Sequence, residues 1–133
     1  MTPNQQKNLI KKAVAAMRRA YAPYSRFCVG AALLTREGRV FQGCNVENAS
    51  YGLTLCAERA ALVAAISAGH RHFTAVAIAS SGQTAPMPCG ACLQALAEFC
   101  RPDFVIVTAA AQNPAAMAMY PLKDLLPRAF QLG

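Results

Sequence analysis

Cys56, Glu58, Cys89 and Cys92 are the residues whose types and spacing carry chemistry in this sequence. Cys56-Ala57-Glu58 sets a thiol and a carboxylate two residues apart, and Pro88-Cys89-Gly90-Ala91-Cys92 begins its cysteine pair thirty-three residues after Cys56. If the two segments lie side by side, three soft ligands and one free acid converge. A structural zinc is closed by four protein ligands, whereas a catalytic zinc keeps three and leaves the fourth position to water. Cys56, Cys89 and Cys92 are the candidate ligands, and Glu58 is the candidate base that takes the proton of that water.

The elements that must position these residues are legible in outline. Thr2-Pro3-Asn4-Gln5 is a helix start with a capping residue, Pro at the first helical position and Gln three after the cap. Leu9, Ile10, Ala13, Val14 and Met17 then recur at helical spacing, which predicts a helix to about Ala20. Phe27 to Thr35 is apolar on both alternating faces, as a strand covered on both sides is, and Glu37-Gly38 turns the chain into a second strand from Arg39 to about Cys44. The stretch Gly43 to Gly52 is a polar loop in an apolar chain, dense in hydrogen-bonding side chains, and is read either as functional or as a plain Asn-rich turn.

From Thr54 a helix is apolar nearly all round, which predicts its burial, and Gly69 ends it. With Thr54 as cap, Cys56 takes the second helical position. With Pro88 opening the later helix, Cys89 does the same, and Cys92 shares its helical face. Both thiolates then stand at positive helix ends, which lowers their pKa and favours metal binding. Phe73 to Ser80 and Phe104 to Thr108 are further strands, with a helix from Cys89 to about Cys100 between them. A helix between successive strands implies parallel pairing and brings both cysteine helices to one face of the sheet. Residues Ala115 to Tyr120 are a short fifth strand or a helical piece. A strand there would run antiparallel to the fourth, because the connection is too short for a crossover helix. Pro121 to Leu126 is a last short helix, followed by a tail through Phe130.

The bulk composition bounds the function. With 133 residues the chain is expected to form one domain over 1–133, and with 55% hydrophobic but only 14% charged residues it has little charge for its surface, as a self-associating protein would. The N-terminus has no apolar signal core, so the six cysteines are read as reduced thiols of a cytoplasmic protein, and no apolar run reaches the length of a membrane span. Of thirteen basic residues, eight fall in the first forty positions against one acid, Glu37. No aromatic residues interleave with Lys7, Lys11, Lys12, Arg18 and Arg19 to stack bases, so these are read as the wet face of a helix and not as a nucleic-acid surface.

From about Tyr21 to Phe130 the sequence resembles the small homotetrameric, zinc-dependent cytidine deaminases of pyrimidine salvage. Five ordered motifs carry the likeness: Tyr24-Ser25-Arg26-Phe27-Cys28-Val29-Gly30-Ala31-Ala32, Phe41-Gln42-Gly43-Cys44-Asn45-Val46-Glu47-Asn48-Ala49, Cys56-Ala57-Glu58-Arg59, Pro88-Cys89-Gly90-Ala91-Cys92 and Leu125-Leu126-Pro127. The resemblance implies a three-layer α/β fold, a mixed five-stranded sheet with helices on both faces, and one zinc per chain held by Cys56, Cys89 and Cys92. It implies that Glu58 shuttles protons in the hydrolytic deamination of cytidine and deoxycytidine with release of ammonia. Asn45 and Glu47 would hold the ribose hydroxyls, Phe27 would pack against the pyrimidine, and the main chain at Ala57 would read the base edge. Tyr51 is placed among the substrate-facing residues, and Phe130 would close the site of a neighbouring subunit. Arg59 would hydrogen-bond the ligand thiolates and offset their charge, which otherwise outweighs that of the metal. Two departures from the family's pattern are Leu93, where many relatives have Arg, and Cys28, where Pro is familiar.

Three rival readings remain open at this level. One is a deaminase of another nucleoside, of the blasticidin type. Another is a deaminase of single-stranded nucleic acid, whose first ligand is more often His. The last is a non-catalytic zinc-stapled binding module with Cys44 or Cys100 as fourth ligand, which leaves Glu58 unexplained.

Overall fold

The computed structural model describes residues 1–132. Its elements in chain order are α1 (Pro3–Met17), β1 (Val29–Thr35), β2 (Val40–Cys44), a 3-10 turn (Tyr51–Leu53), α2 (Ala57–Ser67), β3 (Phe73–Ser80), α3 (Gly90–Ala97), β4 (Val105–Ala110), β5 (Ala118–Pro121) and α4 (Leu122–Leu125). The expected domain over 1–133 includes Gly133, which lies outside the described residues.

The capping box predicted for α1 is present: Gln5 N–H donates to Thr2 Oγ1 at 3.1 Å, and Thr2 N–H donates to Gln5 Oε1 at 2.8 Å. This helix ends at Met17, three residues before the expected limit. Arg19 and Ala20 close tighter turns on Ala16 and Met17, and Tyr21 is then drawn out to pair with Asn45 and Glu47.

The strands form one sheet in the order β2-β1-β3-β4-β5, with β3 and β4 parallel and every other neighbouring pair antiparallel. The mixed five-stranded α/β sheet is therefore present, and residues 118–121 resolve the ambiguous stretch as a strand antiparallel to β4. One expectation needs correcting. Strands β2 and β3 flank α2 in sequence but do not pair, because β1 lies between them and pairs with both.

The layers follow from which side chains each face presents. On one face Leu9, Ile10 and Ala13 of α1 cover the small residues Ala32, Ala75, Ala77 and Ala79. On the other, Ala61, Leu62 and Ala65 of α2, Leu93 and Leu96 of α3 and Leu122 of α4 bury Ala31, Leu33, Val76, Ile78 and Ile106. Leu93, the departure from the family's arginine, is core. Both cysteine-bearing helices share that second face.

Two glycines set how closely the layers approach. A Cβ on Gly30 would lie 2.0 Å from the Ala13 carbonyl oxygen of α1, and one on Gly43 would lie 2.3 Å from the Ala61 nitrogen of α2. Neither position accommodates a side chain without moving a helix. The outer face of α2 departs from expectation: Val63, Ala64, Ser67 and Ala68 are exposed, so this helix is half buried within the chain.

Candidate active site

The N-termini of α2 and α3 meet on the same side of the sheet, and each begins on a cysteine. Cys56 is the N-cap of α2 and Cys89 the N-cap of α3, both with extended backbone, and not the second helical residues that the sequence suggested. The reason is local. Thr54 ends the 3-10 turn and its hydroxyl accepts the Asn48 N–H, while Leu55 exchanges two backbone hydrogen bonds of 2.9 Å with Val46. That pairing holds the chain extended until Cys56, so α2 starts later. Similarly, the Cys89 carbonyl accepts the first helical bond of α3, from Leu93, which leaves Pro88 outside the helix.

The consequence favours metal binding. An N-cap side chain stands over the free N–H groups of the first turn, where negative charge is stabilised. Burial opposes ionisation of Cys89, yet the N–H groups of Cys92 and Ala91 and the neighbouring thiols outweigh it, and its pKa lies below the ordinary thiol value. Cys92, in the first turn of α3, is fully buried; burial pushes its thiol well up, and the charges of Glu58 and Cys56 add to the effect.

The three sulfurs lie within 4.8 Å of one another, and Cys89 Sγ and Cys92 Sγ are 3.6 Å apart. Tetrahedral zinc with Zn–S bonds of about 2.3 Å places its sulfurs about 3.8 Å apart, whereas a disulfide needs about 2.05 Å. A buried thiol held neutral beside two others is the state that a divalent cation would reverse. The donor set therefore suits zinc. Neither Cys44 nor Cys100 belongs to this cluster among the described residues, which removes the closed four-thiolate site.

Glu58, in the first turn of α2, is buried with 6% of its surface exposed. Burial raises its pKa, partly offset by its own backbone N–H, the Cys92 thiol and the Arg59 charge. The Arg59 Nη2 lies 3.5 Å from Cys56 Sγ.

A cleft of about 280 Å³ opens above these groups, lined among others by Phe27, Asn45, Glu47, Cys56, Ala57, Glu58 and Cys89. Seven sequence-predicted residues are thus brought to one cavity. Two are not. Tyr51 borders an adjoining hollow with Tyr24, Ser25, Glu47, Asn48 and Thr54, and Phe130 is 70% exposed, its backbone N–H and carbonyl bonded to the Gln94 side chain on α3. Sequence reasoning did not single out Ser25, Val29, Thr54, Ile78, Pro86 and Met87, which also line the cleft. Ser25 and Val29 each stand two residues from Phe27, and Thr54 and Met87 two before Cys56 and Cys89, whereas only the fold turns Ile78 and Pro86 inward.

Asn45 and Glu47 have structural work besides any ligand. The Asn45 side chain donates to the Phe27 carbonyl at 2.8 Å and accepts the Val29 N–H at 2.9 Å, so it guides the chain from Phe27 into β1. This is why β1 begins two residues later than its apolar run. Glu47 Oε1 accepts the N–H groups of Tyr24 at 2.9 Å and Ser25 at 3.1 Å, and Oε2 accepts the Ser25 hydroxyl. The Ser25 hydroxyl does most to hold the Glu47 pKa below its ordinary value, against burial, and the two N–H groups assist.

Comparison with known proteins agrees with this geometry. Residues 3–108 match the family described as the cytidine and deoxycytidylate deaminase zinc-binding region. A cytidine deaminase of Halalkalibacterium halodurans is 48% identical over 122 residues, 92% of this chain and 91% of that protein. One of Mycobacterium tuberculosis is 44% identical over 131 residues, 98% of this chain and 93% of that protein. The crystal structure of cytidine deaminase from Burkholderia pseudomallei superposes with a TM-score of 0.89 at 48% identity, covering 98% of this chain and 100% of the other.

Proposed function

The chain belongs to the family of zinc-binding cytidine and deoxycytidylate deaminases, and from that premise we propose that it hydrolyses cytidine and deoxycytidine to uridine and deoxyuridine with release of ammonia. The observation that carries this reading is that the buried Glu58 carboxylate lines the same cleft as Cys56 and Cys89, two members of the three-cysteine cluster that Cys92 completes. A non-catalytic module has no use for a carboxylate whose burial costs free energy.

Zinc, held by Cys56, Cys89 and Cys92, would supply the Lewis acidity that brings the pKa of water toward neutrality. Glu58 takes the proton of the attacking water and passes it to ring N3 as oxygen adds to C4. Glu58 then takes the remaining proton from the oxygen on C4 and delivers it to the amine, the C4–N bond breaks as the C4=O bond forms, and ammonia leaves with N3 still protonated, as in uridine. A raised carboxyl pKa suits both directions of transfer. Phe27 forms an apolar wall for the pyrimidine, the main chain at Ala57 faces the base edge, and Asn45 and Glu47 take the sugar hydroxyls. Arg59 balances the thiolate charge behind the site.

The chain is read as one catalytic domain serving pyrimidine salvage in the cytoplasm, a placement supported by its six free cysteines. No described helix is long and apolar enough to cross a membrane. A homotetramer is the proposed assembly, supported by the exposed outer face of α2 and by Leu53, Met87 and Phe130, all exposed. Phe130 would then serve a neighbouring subunit's cleft, since it does not line its own.

The deciding experiment offers the pure protein cytidine, cytosine, adenosine and a short C-containing oligonucleotide and measures ammonia. Cytidine alone should be turned over well, with one zinc per chain that Cys56→Ala, Cys89→Ala and Cys92→Ala each diminish. Preferred release from the oligonucleotide, or turnover by a zinc-free variant, would refute the proposal.

A further inference from the structure

The walls of the cleft are joined by one hydroxyl. Ser25 Oγ donates to Glu47 Oε2 and accepts the Phe27 N–H at 3.0 Å, while the Ser25 N–H donates to Glu47 Oε1 at 3.1 Å. Phe27 in turn gives its carbonyl to Asn45. A single side chain therefore ties the carboxylate on one wall to the aromatic ring on the other. Between Ser25 and Phe27 the backbone turns through Arg26, whose φ of 59° is in the left-handed region that residues other than glycine rarely adopt. Such a turn persists where its surroundings over-determine it. Here the Glu47 carboxylate supplies three of those restraints, by accepting from Tyr24 N–H, Ser25 N–H and the Ser25 hydroxyl.

A carboxylate offers about four acceptor sites. Three are filled within the chain, two on Oε1 and one on Oε2, which leaves one, on Oε2, for an incoming hydroxyl. Were the serine hydroxyl absent, Oε2 would have two open sites and no partner to fix its direction. The Phe27 N–H would lose its acceptor as well.

We propose that Ser25 is a positioning residue for substrate binding, holding Glu47 with one acceptor site open toward the sugar and Phe27 in place beneath the base. This deepens the proposed function and rests on its assignment of Glu47 to the sugar. Ser25 does not touch the reacting atoms, so its loss acts on binding before chemistry. It is an exposed loop residue, so its replacement leaves the core untouched.

The test is a double-mutant cycle with cytidine, using zinc-loaded Ser25→Ala, Glu47→Ala, the double variant and Ser25→Thr. Ser25→Ala should raise KM about tenfold with kcat changed by less than about twofold, the signature of lost uniform binding. Ser25→Thr, which keeps the hydroxyl, should recover most of that loss. In the Glu47→Ala background, Ser25→Ala should add less than about a twofold further change, because its partner is already gone. Ser25→Ala with unchanged KM, or the same tenfold loss with and without Glu47, would overturn the inference while leaving the proposed function standing. An unchanged KM in Glu47→Ala would overturn the sugar assignment and this inference together. Ser25→Cys, isosteric but a weak donor, is measured alongside and should resemble Ser25→Ala; behaviour like Ser25→Thr would count against the hydrogen bond as cause.

Discussion

Arg59 and Cys56 lie one turn apart at the start of α2, with the guanidinium Nη2 3.5 Å from the thiol sulfur and Nε buried without a hydrogen-bond partner among the described residues. Three thiolates would carry more charge than the one zinc they are proposed to hold, and the balance is the role proposed for Arg59. Arg59→Gln should therefore retain the fold but lower zinc affinity or turnover by about 10–100-fold, as loss of a partner behind the ligands does. Competition against a zinc-sensitive dye, with kcat on the loaded enzyme, checks both. Wild-type values in both measurements would make Arg59 an ordinary helix arginine.

Glu58→Gln preserves shape and removes the proposed proton carrier. It should retain zinc and fold yet lose at least about a thousandfold in kcat. A loss of only about tenfold would point to another group as base.

Glu47 is predicted to matter twice. Glu47→Ala should lower kcat/KM for cytidine by about 30–1000-fold, through loss of a charged hydrogen bond to the sugar. Free cytosine should be a far poorer substrate than cytidine, and insensitive to that change.

The same carboxylate has a pH signature in stability. Its folded pKa is depressed below the ordinary 4.5 by the Ser25 hydroxyl first, then by the N–H groups of Ser25 and Tyr24. Its ionised form thus adds stability above the unfolded pKa, and that increment is lost as pH falls through the folded value. Thermal melting should show wild type above Glu47→Gln at neutral pH by a constant margin, which closes as pH falls from 4.5 through the lower folded value, below which both side chains are uncharged. A margin that survives into acid would assign the difference to shape.

Gly43→Ala tests how the fold carries the site. A methyl there would lie 2.3 Å from the Ala61 nitrogen and 2.6 Å from the Ala57 carbonyl oxygen, so α2 must shift, and Cys56 and Glu58 shift with it. We expect destabilisation of about 1–3 kcal/mol, typical of overpacking, together with weaker zinc binding. Denaturant melts with metal analysis would show a rigid clash if both fall together. Unchanged zinc affinity would mean that the start of α2 is held by its own loop.

Assembly is tested by truncation after Pro127 and by light scattering. The intact protein should scatter as four chains, and the truncated form should retain zinc while KM rises. A monomer fully active at nanomolar concentration would rule out a cleft shared between subunits.

What could be read from the sequence was whatever depends on neighbours along the chain. The Thr2 and Gln5 capping box, the Glu37-Gly38 turn with Gly38 at φ 95°, and the burial of β1 on both faces follow from side-chain chemistry and backbone sterics along the chain. So were the candidates Cys56, Glu58, Cys89 and Cys92, picked out by a thiol-x-carboxylate and a Cys-x-x-Cys pair, and the fold draws the three sulfurs together and buries Glu58 at the same cleft. Contacts between distant segments decided the rest. Pairing of Leu55 with Val46 delays the start of α2 and converts Cys56 from a helical residue to a cap. Insertion of β1 between β2 and β3 breaks a pairing that chain order alone suggested. The same holds for the ring of hydrogen bonds through Ser25, Glu47, Phe27 and Asn45, which joins residues about twenty apart and leaves no periodic trace. A local pattern reports local preference. The cleft exists because one sheet brings together the ends of elements that are far apart in the chain.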